Sequence, residues 1–145
     1  MKIYKKLLDK NSKLYSDKII EMYSCFAFLE KEKGNYKLAE KRYQKVILSY
    51  KKMNRTNSLK YNLQIAKALN ELASIQILYL KNPIEAEIKL FESLSLAKKV
   101  KEIEQKKAKD VLAQTYRSLA YLAILEKNMR TAWDYYQKVN SLKKI

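Results

Sequence analysis

The chain has 145 residues and a formal charge of +16 at pH 7, with 48% hydrophobic and 32% charged side chains, the balance of one folded domain rather than of a disordered tail or a membrane span. One Gly and one Pro leave too little turn chemistry for hairpin-rich sheets or Gly-rich phosphate loops, so an all-α chain of helices and polar turns remains. No His is present, which removes the commonest general base and metal ligand, and the lone Cys25 excludes an internal disulfide and any multi-cysteine zinc site.

Apolar residues three and four apart predict helices near residues 2–9, 17–33, 36–53, 62–81, 84–101, 106–127 and 129–143. The first segment is basic and has no apolar run of secretory length. In the second, Ile19, Ile20, Tyr23, Phe26 and Ala27 share a face, and Cys25 reads as a small buried hydrophobe among Tyr23, Phe26 and Phe28. The third carries Tyr36, Ala39, Tyr43, Val46 and Ile47 at the same spacing. The longest apolar stretches, LASIQILYL and LAYLAIL, are too short to cross a bilayer, so no membrane partner and a cytoplasmic location are expected. Trp133, Tyr136 and Val139 of the last helix have no following helix in the sequence to cover them.

The chain also repeats itself. YKKLLDKNSKLYSDKI from Tyr4 and YKKMNRTNSLKYNLQI from Tyr50 match at an offset of 46, and the register pairs Ala27 with Ala73 and then Ala120. Turn residues followed by a small residue recur as Gly34-Asn35-Tyr36 with Ala39, Asn82-Pro83 with Ala86, and Asn128-Met129 with Ala132. The second turn holds one extra residue, at Pro83. Each unit reads as two helices crossing at small residues, with Tyr43, Tyr50, Tyr116 and Tyr136, like Tyr4, filling the space between helices rather than offering base-stacking platforms. Three such units bury one another's apolar faces if they stack as a solenoid.

This pattern resembles the tetratricopeptide repeat, carried by Tyr23, Phe26, Ala27, Gly34, Tyr36, Ala39 and Tyr43 in unit one, by Leu69, Leu72, Ala73, Ala86 and Leu90 in unit two, and by Tyr116, Leu119, Ala120, Ala132 and Tyr136 in unit three. The spacing of 46 to 47 is longer than that family's usual repeat and is similar to kinesin light chains and bacterial signalling arrays. Glu30 and Gln76 depart from the family's large apolar residue, and Pro83 from its turn tyrosine. The resemblance implies a right-handed α-solenoid of three helical hairpins, over residues 17–60, 61–105 and 106–145, with residues 1–16 as the end of a preceding repeat-like helix and a linker.

It further implies that the first helices of the hairpins line a peptide groove. Ser24 and Phe28 in unit one, Lys67, Asn70 and Ser74 in unit two, and Gln114, Arg117 and Tyr121 in unit three are the expected groove residues, on an exposed face. Asn70 would hold a peptide backbone, Lys67 and Arg117 a carboxylate, and Phe28 and Tyr121 an apolar anchor. The family's chaperone-type carboxylate clamp is absent, because Ser24 and Phe28 occupy its first-unit positions. The leading expectation is a non-catalytic scaffold, with no cofactor and no metal, that binds a protein or peptide, an acidic one fitting its charge, or joins a larger complex or a second copy through uncapped terminal helices. The alternative is a basic module for nucleic acid or another polyanion. Only four of the 31 basic residues are Arg, and Lys with abundant Ile, Asn and Tyr is what an AT-rich genome encodes, so base-edge recognition is the weaker reading. Residues 1–60 carry +10 of the charge, which places any anionic contact there.

Overall fold

A computed structural model of the chain describes residues 12–54, 61–101 and 105–143. Six helices account for nearly all of them, and no strand occurs among the described residues: α1 Ser12–Glu32, α2 Tyr36–Met53, α3 Asn62–Leu78, α4 Pro83–Lys101, α5 Gln105–Leu125 and α6 Met129–Lys143. The helix expected at residues 2–9 lies outside the described residues. Residues 12–16, expected as linker, are the first turn of α1. No helix among the described residues is long and apolar enough to cross a membrane.

Each helix packs on the next in the chain, and α3 also packs on α5. On α2, Ala39, Tyr43, Val46, Ile47 and Tyr50 form one buried stripe at spacings of three and four. On α3 the buried residues cover more than half of the helix, leaving one stripe through Gln64, Lys67, Glu71, Ser74 and Leu78, because it belongs to two cores. Ile65, Leu69, Leu72 and Ile75 join Ala27, Ala39, Tyr43 and Val46 in the first. Ala66, Ala73 and Ile77 join Ala86, Leu90, Leu112, Tyr116, Leu119 and Val139 in the second. The six alanines that recur through the sequence, Ala27, Ala39, Ala73, Ala86, Ala120 and Ala132, are all buried. A side chain without a γ carbon lets two helix backbones approach closely there.

One turn is used three times. Gly34, Lys81 and Lys127 hold left-handed backbone with φ of 85°, 54° and 61°, each followed by an Asn and the first residue of the next helix. In the first turn Gly34 N donates to Lys31 O and Asn35 N to Glu30 O, and in the third Lys127 N donates to Ile124 O and Asn128 N to Ala123 O. These are the paired bonds of a Schellman cap, which satisfy the last carbonyls of α1 and α5. In the second turn Asn82 N reaches Gln76 O, one residue further back, and Leu80 N bonds to Ile75 O. The extra residue is absorbed by this widening, so α3 stops at Leu78, short of the expected 81. The carbonyls of Asn35, Asn82 and Asn128 then accept from Ala39, Ala86 and Ala132, the first bonds of α2, α4 and α6.

Several side chains sit elsewhere than the sequence leads one to expect. Cys25 is exposed, because it lies on the side of α1 away from Ile19 and Ile20. Val139 is buried with Leu142 in the second core, whereas Tyr136 is exposed and fills no space between the helices. Tyr43, Tyr50 and Tyr116 are buried as expected of packing residues, and Tyr4 lies outside the described residues.

Candidate functional site

A cleft of about 460 Å³ opens where α1 stands off from α3. Glu21, Ser24, Cys25 and Phe28 of α1 form one wall, Gln64, Lys67, Ala68 and Glu71 of α3 the other, and Tyr43 and Tyr50 of α2 lie between them. The spacings generate the walls: Glu21, Ser24 and Phe28 are three and four apart, and so are Gln64, Lys67 or Ala68, and Glu71, so each set projects from one side of its helix. Three of the expected groove residues, Ser24, Phe28 and Lys67, therefore meet across one opening.

The cleft is mostly apolar, with charges at its edges. Lys31 Nζ and Glu71 Oε2 pair at 3.3 Å across from α1 to α3, and Lys31 also lies 5.5 Å from the centre of the Phe28 ring. At the other end Tyr61 donates its hydroxyl to Asp17 Oδ1 at 2.7 Å. Burial, then that hydrogen bond and the nearby carboxylate, push the Tyr61 phenol up to about 12. Burial, with Glu21 and Asp17 nearby, pushes Tyr50 up to about 12. Tyr43 is raised for the same leading reason, with Glu71 adding to it. These hydroxyls stay protonated donors at neutral pH. Among the described residues no three His, Cys, Asp or Glu side chains converge as a metal site.

The remaining expected groove residues do not line this cleft. Asn70 is fully buried, which corrects its expected place on an exposed face. It points from α3 at α5, where its Oδ1 accepts from Thr115 Oγ1 at 3.0 Å and its Nδ2 lies 3.4 Å from Val111 O. Ser93 of α4 completes the buried network, donating to Ala66 O at 3.0 Å with its oxygen 3.3 Å from Thr115 Oγ1. The packing is why: Asn70 lies on the side of α3 that meets α5, and α5 covers it. Arg117, its counterpart on α5, is exposed, as is Tyr121, while Ser74 and Gln114 are half-buried.

Sequence reasoning missed the second wall. Gln64, Ala68 and Glu71 lie on the side of α3 turned away from Asn70, with Ser74 one turn beyond Glu71, a signal present in the spacing but indistinguishable there from ordinary surface. Gln76, a departure from the expected pattern, proves structural, since it is buried and its Nε2 donates to Glu40 Oε2 of α2 at 3.1 Å. Comparison of the chain with protein-family models, with curated proteins and with solved structures found no match in any of the three.

Proposed function

We propose that this chain is a non-catalytic, tetratricopeptide-like scaffold of the cytoplasm whose three helix pairs form a right-handed α-solenoid, and that it holds an extended protein segment in the cleft between α1 and α3. The recurrence of one capped turn at Gly34, Lys81 and Lys127, with buried alanines at matching places, supports the repeat architecture. The single observation that carries the binding role is the open, largely apolar cleft bordered by Phe28, Lys67 and two buried tyrosines. Its volume is within the ~300–1,000 Å³ of ordinary ligand sites. Phe28 and Tyr43 offer a seat for an apolar anchor, and Lys67 and Ser24 offer polar contacts to the flanking backbone.

The test begins with affinity purification from the native cell and identification of what is retained. Phe28→Ala and Lys67→Ala together should then weaken that partner by roughly 2–4 kcal/mol in calorimetry if both contacts are central, because neither side chain belongs to a core. An unchanged affinity sinks the cleft as the site. The second reading, a polyanion-binding module, rests on the net charge of +16. It predicts sequence-independent binding that collapses between low and physiological salt in a gel-shift titration. Binding that survives physiological salt and discriminates among sequences would reverse this order of preference.

A further inference from the structure

The repeat allows one face to be compared at three successive positions. Tyr43, Leu90 and Tyr136 occupy equivalent places on α2, α4 and α6, 47 and 46 residues apart. Tyr43 is 4% exposed and Leu90 0%, because α3 and α5 lie over them, whereas Tyr136 is 52% exposed. The first helices tell the same story, with Ile77 6% exposed and its counterpart Ile124 48%. Asn70 is buried and its counterpart Arg117 is exposed. Along α6, Met129, Trp133 and Tyr136 stand four and three apart on one side, all exposed, with the Trp133 and Tyr136 rings stacked at 6.2 Å between centroids.

A face that only had to meet water would be polar at these places. The chain does the reverse. Where α4 has Glu87, α6 has Trp133 at 61% exposure, and Ile124 keeps the aliphatic character of the covered Ile77. Trp and Tyr in such a cluster, with Arg beside them, are the residue types that dominate binding energy at interfaces.

What covers the equivalent face inside the chain defines what would fit here. Between α3 and α4 that cover is α5, through Ala108, Val111, Leu112 and Thr115, a helix stripe of small and aliphatic side chains. The rim of the open face, from α5 to α6, is mainly cationic, with Lys106, Arg117, Lys127, Arg130, Lys138 and Lys143 against Asp110, Glu126 and Asp134, all exposed. A second copy of this chain would bring another +16 against that rim, so charge disfavours self-association and favours an acidic partner. We propose that the face formed by Arg117, Ile124, Met129, Trp133 and Tyr136 docks an amphipathic α-helix of a partner protein that presents an α5-like aliphatic stripe between acidic flanks. This surface is separate from the α1–α3 cleft, and the two assignments stand or fall independently.

Trp133 is the only tryptophan in the chain, so its emission reports directly on this face. The probe is a synthetic peptide of the α5 sequence, residues 105–125, carrying Lys106→Glu, Lys107→Glu and Lys109→Glu, titrated into the full-length protein. The expected result is a saturable blue shift, at least ~10-fold weaker binding of the unaltered α5 peptide, and at least ~10-fold loss in the Tyr136→Ala protein, read by anisotropy of labelled peptide. Arg117→Glu, which touches no core, should weaken the acidic peptide and strengthen the unaltered one, while Phe28→Ala should leave both unchanged. The proposal is overturned if no saturable shift occurs, or if both peptides bind alike. It is overturned equally if Phe28→Ala abolishes binding that Tyr136→Ala spares, which puts the peptide in the cleft. A blue shift that grows with protein concentration in the absence of peptide identifies a second copy as the occupant and also overturns it.

Discussion

Asn70→Asp is the sharpest probe of the packing between α3 and α5. Asn70 is fully buried, its Oδ1 accepts from Thr115, and its Nδ2 faces Val111 O. The variant replaces that amide donor by an oxygen, so a carboxylate there would face a carbonyl oxygen without water and with one hydroxyl donor. Its pKa in the folded state must rise above the ~3.9 of an unfolded aspartate, by ~2–3.5 units for a group this buried. At 1.36 kcal/mol per unit this is a loss of ~3–5 kcal/mol at pH 7, the range found for an uncompensated buried charge. The sign follows from which state holds the proton. Below pH ~3.9 both states are protonated and the ionisation penalty vanishes, and it grows as pH rises until the folded carboxyl itself ionises. Asn70→Leu is the control: it carries no charge, and Thr115 Oγ1 keeps its alternative acceptor, Val111 O at 2.8 Å, so the cost should be ~1 kcal/mol. Urea melts of both variants from pH 4 to pH 7 measure the difference. Equal stability of the two at pH 7, with no pH dependence peculiar to the aspartate, would mean that Asn70 faces solvent and that α5 does not cover this side of α3.

Ala39→Leu should overpack the crossing between α1 and α2 and cost ~1–3 kcal/mol in urea melts, with wild-type stability counting against close approach at a residue that is 0% exposed. Gly34→Ala should cost ~1 kcal/mol for its left-handed φ alone, since an added Cβ meets nothing within 4 Å, and Lys127→Gly should return a comparable gain at the equivalent place in the third turn. Tyr50 and Tyr61, pushed up to about 12, should ionise late in an ultraviolet absorbance titration. Because their folded pKa lies above the unfolded value of 10, the stability they contribute is whole below pH ~10 and is lost as pH rises through about 12, and normal titration of both near 10 would refute it.

The helices were legible because their signals are local. Gly34, the Asn residues at 35, 82 and 128, and the alanines four places later mark turn and crossing in the sequence, and each occupies the same backbone place in the structure. The one-residue excess of the second turn was also readable, and it reappears as the longer reach from Asn82 to Gln76. What periodicity leaves undetermined is which neighbour a given side of a helix meets. Asn70 and Lys67 are polar residues three apart on one helix, yet α5 buries the first and leaves the second at the edge of an open cleft. Polar character suggested exposure for both, but burial of Asn70 depends on Thr115 and Ser93, 45 and 23 residues away in sequence, which supply and complete its hydrogen bonding. Cys25 was misplaced for the converse reason, since aromatic neighbours in sequence are not neighbours across a helix.

The same comparison explains why one seam is open and the other closed. Between α3 and α5, short side chains meet: Asn70 against Val111 and Thr115, with Ser93 beneath, so the helices come into direct contact. Between α1 and α3, long or bulky side chains meet instead, and Phe28, Lys31 and Glu71 hold the helices apart. The Lys31–Glu71 pair, 23% and 34% exposed, is worth at most ~1 kcal/mol, so it bridges the cleft without closing it. A helix that borders an open cleft shares fewer apolar contacts with its surroundings and opens at lower free energy than one packed on three sides. α5 packs on α3, α4 and α6, whereas α1 packs chiefly on α2. Amide hydrogen exchange should therefore be faster along residues 19–29 of α1 than along residues 111–122 of α5. Glu71→Ala should raise the α1 rate further, by up to ~5-fold for a loss of ~1 kcal/mol, and leave α5 unchanged. Uniform protection of the two helices, or acceleration of α5 alone in that variant, would mean that both seams are equally closed and that the cleft is not a site of entry for a ligand.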